Sequence, residues 1–267
     1  MRSSVRCLSI SLGLSALLSA VSATSVLAQA QAFIYTVTPS APATSHERWN
    51  VRYDAGYGSH STDPLGFDGM EQGVTFQGRL LHGFTVRGQV ALGLDSQSTS
   101  SSQEVEVLKD LRSASRGFGL SAGLGLRREW EGTGVLVGRV AAGQRFERSM
   151  LFGNVSFERA FEPTRDSVDV ITSVGWLRRV GSAVHVGAEA LAEDLEGFWD
   201  PNEAEGGAKI FAGPSVHVAV PAHSWSLSVC GGPIFYASRN GRTSPAVRPL
   251  DARGNGFTAR MSFGYSF

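Results

Sequence analysis

His60, Ser61, Thr62 and Asp63 bring the three residue types of a hydrolytic triad into four consecutive positions. Successive side chains on an extended chain point to opposite sides, so this adjacency works against a nucleophile, a base and an orienting acid converging. Pro64 and Gly66 follow at once and make the stretch a turn-rich loop. Asp200-Pro201-Asn202-Glu203-Ala204-Glu205-Gly206 offers carboxylates to calcium. Its glycine falls one place late for an EF-hand loop, however, and the twelfth position is Phe211 where that loop needs glutamate. His46, His82, His217 and His223 are scattered without metal-ligand spacing, and neither a His-Glu-x-x-His run nor a phosphate-binding glycine-rich Lys-Ser/Thr loop occurs. No catalytic set, metal or cofactor is expected, and a formal charge of zero gives no footprint for nucleic acid.

A second set of charged residues is defined by alternation. Phe257, Ala259, Met261, Phe263, Tyr265 and Phe267 alternate with Thr258, Arg260, Ser262, Gly264 and Ser266. Trp49, Val51, Tyr53, Ala55 and Tyr57 likewise oppose Asn50, Arg52, Asp54 and Gly56, and Phe118 to Leu126 opposes Gly119 to Arg127. Period-two alternation means strands with one apolar and one polar face. The polar face here is dominated by Gly, Ser, Arg and Gln, which suit a crowded interior better than open water. Extending the parity along the chain gathers Arg52, Arg79, Arg87, Arg127, Arg139, Arg145, Lys209 and Arg260 on that face, against Asp54, Asp169, Glu189 and Glu193, with His185 and His217. Basic groups outnumber acids in this set. Either they form a structural network of ion pairs, or uncompensated arginines line a narrow passage biased toward small anions.

The elements that must position these residues are long strands of roughly 10 to 13 residues, matched to a tilted bilayer crossing. Glycine is abundant at 32 residues, and no segment beyond the first thirty approaches a membrane helix. Arg2 and Arg6, the apolar run from Leu8 to Leu27 and Ala28-Gln29-Ala30 read as a secretory signal over residues 1–30, which takes Cys7 with it. That leaves Cys230 alone and excludes an internal disulfide. Residues 31–47 read as a periplasmic linker and 48–267 as the barrel.

Lipid offers the backbone no hydrogen-bonding partner, so a spanning sheet must close. The expected fold is therefore an all-β, transmembrane, antiparallel up-and-down barrel, monomeric, of about ten strands, with twelve or eight as alternatives. In the ten-strand version short turns near His82, Glu131-Gly132-Thr133, Val180-Gly181 and Pro221-Ala222-His223 face the periplasm. Trp49, Trp130, Trp176 and Trp225 gather at that end, with Tyr57, Phe118, Phe146, Phe235 and Tyr236 opposite. The twelve-strand version adds Met150 to Ala160 and Phe33 to Thr38. Gln31 to Ser45 and Asp95 to Ser102 are expected to lack fixed structure, and Gln103 to Arg112 to form a short helix bearing Val105, Leu108 and Leu111 on one side. Asp194, Glu196, Asp200, Glu203 and Glu205 in one loop face Arg239, Arg242, Arg248 and Arg253 in the next, which suggests a partial lid.

The terminal Met261-Ser262-Phe263-Gly264-Tyr265-Ser266-Phe267 resembles the C-terminal signal of bacterial outer-membrane β-barrels, in which Met261, Phe263, Tyr265 and Phe267 would be the recognised positions. The resemblance implies residence in the cell outer membrane of a Gram-negative-type cell, delivery by the barrel-assembly machinery, and contact with membrane lipid and lipopolysaccharide. It identifies a broad porin-like class and no individual activity. The expected function is a narrow channel for small solutes or a structural, surface-interacting barrel, and not an enzyme. The alternative is a barrel hydrolase, omptin-like or lipid-A-modifying, but the aromatic-x-His-x-Ser-Asn arrangement of lipid A deacylases is missing around His60.

Overall fold

A computed structural model of the protein describes residues 31–38, 49–61, 64–96, 98–113, 117–162, 168–193, 195, 208–220, 223–237 and 255–267. Twelve strands follow one another in chain order: β1 (Trp49–Ser59), β2 (Gly69–Arg79), β3 (Phe84–Leu94), β4 (Thr99–Arg112), β5 (Phe118–Arg128), β6 (Gly134–Arg145), β7 (Ser149–Ala160), β8 (Asp169–Arg179), β9 (Val184–Glu193), β10 (Lys209–Ala219), β11 (Trp225–Tyr236) and β12 (Gly256–Ser266). Each pairs with its sequence neighbour, and β12 returns to β1 to close the barrel. The closing ladder runs antiparallel from Asn50↔Ser266 to Ser59↔Phe257, so no edge is left unpaired.

Parity sorts the two faces as the sequence indicates. Outward residues such as Tyr53, Val74, Val90, Leu124 (67% exposed), Phe157, Val174 and Phe263 present an apolar outer surface. Inward residues such as Arg52, Asp54, Thr75, Arg87, Ser121 and Arg127 are buried. Such an inside-out distribution is stable where hydrocarbon covers the outer face.

The strand count corrects the ten-strand expectation, for two reasons. Thr99–Arg112, read as a serine-rich linker followed by a helix, is β4. Val105 and Val107 project outward while Glu106 and Leu108 are buried inside, which is strand parity. The spacing of Val105, Leu108 and Leu111 imitated a helix because positions three apart alternate faces on a strand. The second addition is β7, which the twelve-strand alternative did contain. Phe33 to Thr38, that alternative's other addition, is not a strand.

With both included, every connection at the end where β1 begins and β12 finishes, the terminal end, is short, and the longer ones lie at the far end. The turn 129–133 therefore moves to the far end, taking Trp130 with it. Phe118 and Phe146 move to the terminal end, where they join Trp49, Phe84, Trp176, Trp225, Tyr265 and Phe267. Rings at this end stack in pairs, Trp49 on Phe76, Trp225 on Phe263 and Tyr265 on Phe267.

Candidate functional site

The lumen has two unlike walls. Along β1 to β7 and β12 it is ionic. Arg52 Nε donates to Asp54 (3.1 Å to Oδ2), which also accepts from the Thr75 hydroxyl at 3.2 Å. Arg87 meets Glu104 at 3.1 Å and Glu106 at 3.6 Å, and Arg139 meets Glu106 at 2.7 Å. Arg127 pairs with Glu158 through both terminal nitrogens and with Glu129 at 3.1 Å. Arg260 pairs with Glu71, and at the terminal rim Arg79 approaches Asp110 at 3.8 Å. Lys209 meets Glu193 at 2.9 Å across the β9–β10 ladder.

All fourteen residues singled out for the polar face lie on inward-facing strand positions: Arg52, Asp54, Arg79, Arg87, Arg127, Arg139, Arg145, Asp169, His185, Glu189, Glu193, Lys209, His217 and Arg260. The excess of basic groups does not survive. Glu71, Glu104, Glu106, Glu129 and Glu158 share the interior and take most of the guanidinium groups as partners. Glu104 and Glu106 share the inward face only on a strand, which a helical reading of 103–112 conceals. Arg145 differs from the rest. It lies over the Phe152 ring at 5.2 Å, and its Nε and Nη1 have no hydrogen-bond partner among the described residues. The His185 and His217 rings lie 6.0 Å apart.

The opposite wall, on β7 to β11, carries inward apolar side chains: Met150, Phe152, Ile171, Leu177, Leu191, Phe211 and Ile234, all buried, with Cys230 among them. Residues 31–38, expected as an unstructured linker, lie against this wall inside the barrel. Phe33 is fully buried and meets Phe152 edge to face at 6.1 Å, while Tyr35 tilts over Phe211 at 4.8 Å. The Ile34 and Tyr35 N–H groups donate to the two oxygens of Glu189 at 3.0 and 2.8 Å, and the Ser215 hydroxyl donates to the same carboxylate at 2.9 Å.

Asn154 imitates a peptide unit toward the segment. Its Oδ1 accepts from Val37 N–H at 2.7 Å and its Nδ2 donates to Val37 O at 2.6 Å. Ser228 donates to Ala32 O at 3.1 Å. That leaves the 2.8 Å bond between Ser228 Oγ and His217 Nδ1 to be donated by the histidine, which fixes its tautomer. The Tyr35 hydroxyl lies 3.3 Å from Thr258 Oγ1, with Arg260 over the ring at 5.6 Å. Burial pushes the Tyr35 phenol up, so it stays protonated.

From the far end the β1–β2 connection dips inward. Leu65 is fully buried in one apolar cluster with Ile34 and Tyr35, and Phe67 N–H donates to Glu71 at 3.1 Å. Between the segment and the ionic wall remains a cavity of about 100 Å³, lined among others by Gln31, Tyr35, Arg87, Glu104, Arg127 and Arg139. That is room for several waters.

Among the described residues, His60 and Ser61 are not hydrogen-bonded to each other. Ser61 is buried and its hydroxyl donates to Phe67 O at 2.8 Å, while the backbone N–H of His60 donates to Asp68 at 2.8 Å and its ring Nδ1 has no hydrogen-bond partner among the described residues. Asp63 and the two oppositely charged loops proposed as a lid lie outside the described residues, as do residues 1–30 and 39–48. No group of metal-ligating side chains forms among the described residues.

No family model and no curated relative matches the sequence. Solved structures do match the fold. A KdgM porin superposes with a TM-score of 0.53 at 13% identity, covering 82% of this chain and 99% of that one. The same porin in complex with disordered oligogalacturonate gives 0.52 at 14% identity over the same shares. NanC porin gives 0.57 at 8% identity, covering 81% of this chain and all of that one. The chain therefore has the fold of the bacterial outer-membrane porins.

Proposed function

We propose that the protein is a porin-like channel of the bacterial outer membrane, without enzymatic activity, whose narrow lumen passes small polar solutes with a bias toward small anions. The observation that carries this reading is the sorting of the closed barrel into an apolar outer surface and a charged interior that retains a cavity. The fold shared with KdgM and NanC porins supports it. The terminal end faces the periplasm, lipid and lipopolysaccharide surround the outer face, and Met261, Phe263, Tyr265 and Phe267, all outward-facing on or just beyond β12, are the positions read by the barrel-assembly machinery.

The anion bias rests chiefly on Arg145. A guanidinium beside a carboxylate presents little net charge to a passing ion, whereas one without an acidic partner among the described residues, as at Arg145, raises the cost of cation entry. A long polyanion such as the oligogalacturonate of the KdgM complex would have to displace the acids from the paired arginines, so a small anion fits better.

Planar-bilayer recording tests the reading. The intact protein is expected to give a small conductance whose reversal potential under a salt gradient favours chloride, and Arg145→Gln is expected to shift that potential toward zero. Cation preference, or no current above the bare membrane, would sink it.

A further inference from the structure

The apolar patch on β7 to β11 is out of place in a water-filled lumen, and it is covered by residues 31–38 together with Leu65 of the β1–β2 connection. The contacts holding the 31–38 stretch are those by which a protein binds an extended peptide. Glu189, Asn154 and Ser228 all read backbone groups, at Ile34, Tyr35, Val37 and Ala32. Side-chain recognition is added by the Phe33 ring, which lies where a Cβ on the inward-facing Gly175 would come within 2.4 Å of it. The wall is thus hollowed to fit this ring.

We propose that this half of the lumen is a peptide-binding groove, and that residues 31–38 are its tethered, exchangeable occupant, closing the channel while docked and opening it on release toward the terminal end. This deepens the channel reading and rests on it. The segment lacks ladder pairing with any strand, so it can leave without opening the barrel. Ordering eight residues offsets much of what burying Phe33, Ile34 and Val37 contributes, which keeps the docked and released states within reach of each other. Residues 39–48 provide a tether whose extended reach is about 33–36 Å, comparable with a strand's length.

The test uses a chain lacking residues 31–38, the full-length Gly175→Val and Glu189→Gln variants, and a synthetic fluorescent peptide of sequence AFIYTVT. Heat-modifiable electrophoretic mobility first establishes that each barrel is closed. The expected results are a severalfold larger conductance for the deletion and for both full-length variants, and a return to the intact level when the peptide is added from the terminal side. The peptide should also bind the deletion barrel in detergent by anisotropy, and lose that binding when Gly175→Val is combined with the deletion. A closed deletion barrel that conducts like the intact chain would overturn the proposal, as would one that neither binds the peptide nor is blocked by it. Peptide binding that depends on Gly175 in a barrel carrying no current in any form would uphold the groove and dismiss the channel.

Discussion

A guanidinium group in the lumen selects against cations only to the extent that no carboxylate stands beside it, so the partners matter as much as the arginines. Arg87 and Arg139 share Glu104 and Glu106 between them. Replacing both acids by glutamine keeps the shape and removes two negative charges. Reversal potentials should then move further toward chloride, and urea unfolding followed by tryptophan fluorescence should report a loss of roughly 1–3 kcal/mol, because ion pairs become bonds from a charged donor to a neutral acceptor. An unchanged selectivity would mean that ions do not pass this wall. Inward placement of Arg87 and Arg139 was legible because parity is a local property of each strand. Their pairing was not, since it depends on which strand lies next door and β4 had been read as something else. The hold of Glu189 on Ile34 and Tyr35 was still less accessible, as it joins residues about 155 positions apart whose only signal is chemical compatibility.

At the scale of elements, what escaped the sequence are the places where one periodicity imitates another or where both faces are apolar. Thr99–Arg112 shows the first case. A strand reading puts Val107 in lipid near the middle of β4, with Glu106 inside, whereas a helix bearing Val105, Leu108 and Leu111 on its apolar face would leave Val107 off that face. The substitution Val107→Arg separates them. In the strand it should cost about 2–4 kcal/mol and lower the fraction of heat-modifiable, closed barrel, as charges at the bilayer midplane do. On a helix at the mouth it would be silent. The second case is the β7 to β11 wall, where Met150, Phe152, Ile171, Phe211 and Ile234 blunt the alternation. Apolar residues on the inward side of consecutive strands were the available sign that something apolar fills the lumen. Residues 31–38, rich in the Phe, Ile, Tyr and Val that linkers lack, were the matching half of that sign.

For the whole molecule, adding β4 and β7 to a ten-strand reading preserves an even count, so the closure argument could not detect the omission. It did exchange the ends of the intervening elements. Trp130 shows the consequence: assigned to the same girdle as Trp49, it packs instead against Phe67 of the far-end loop, ring centroids 5.1 Å apart, and lines the cavity. Orientation in the membrane can be checked without disturbing the barrel. Ser96 is exposed in the β3–β4 turn at the far end, and Gly181 lies in the β8–β9 turn at the terminal end with open space around an added Cβ. Cys230, the one other thiol among the described residues, is buried and should remain silent to a bulky reagent. A membrane-impermeant maleimide applied to intact cells should therefore label Ser96→Cys and spare Gly181→Cys until the outer membrane is permeabilised. Outer-membrane barrels keep their short turns in the periplasm and their longer loops outside, so labelling of Gly181→Cys in intact cells would invert both the topology and the direction from which residues 31–38 enter the lumen.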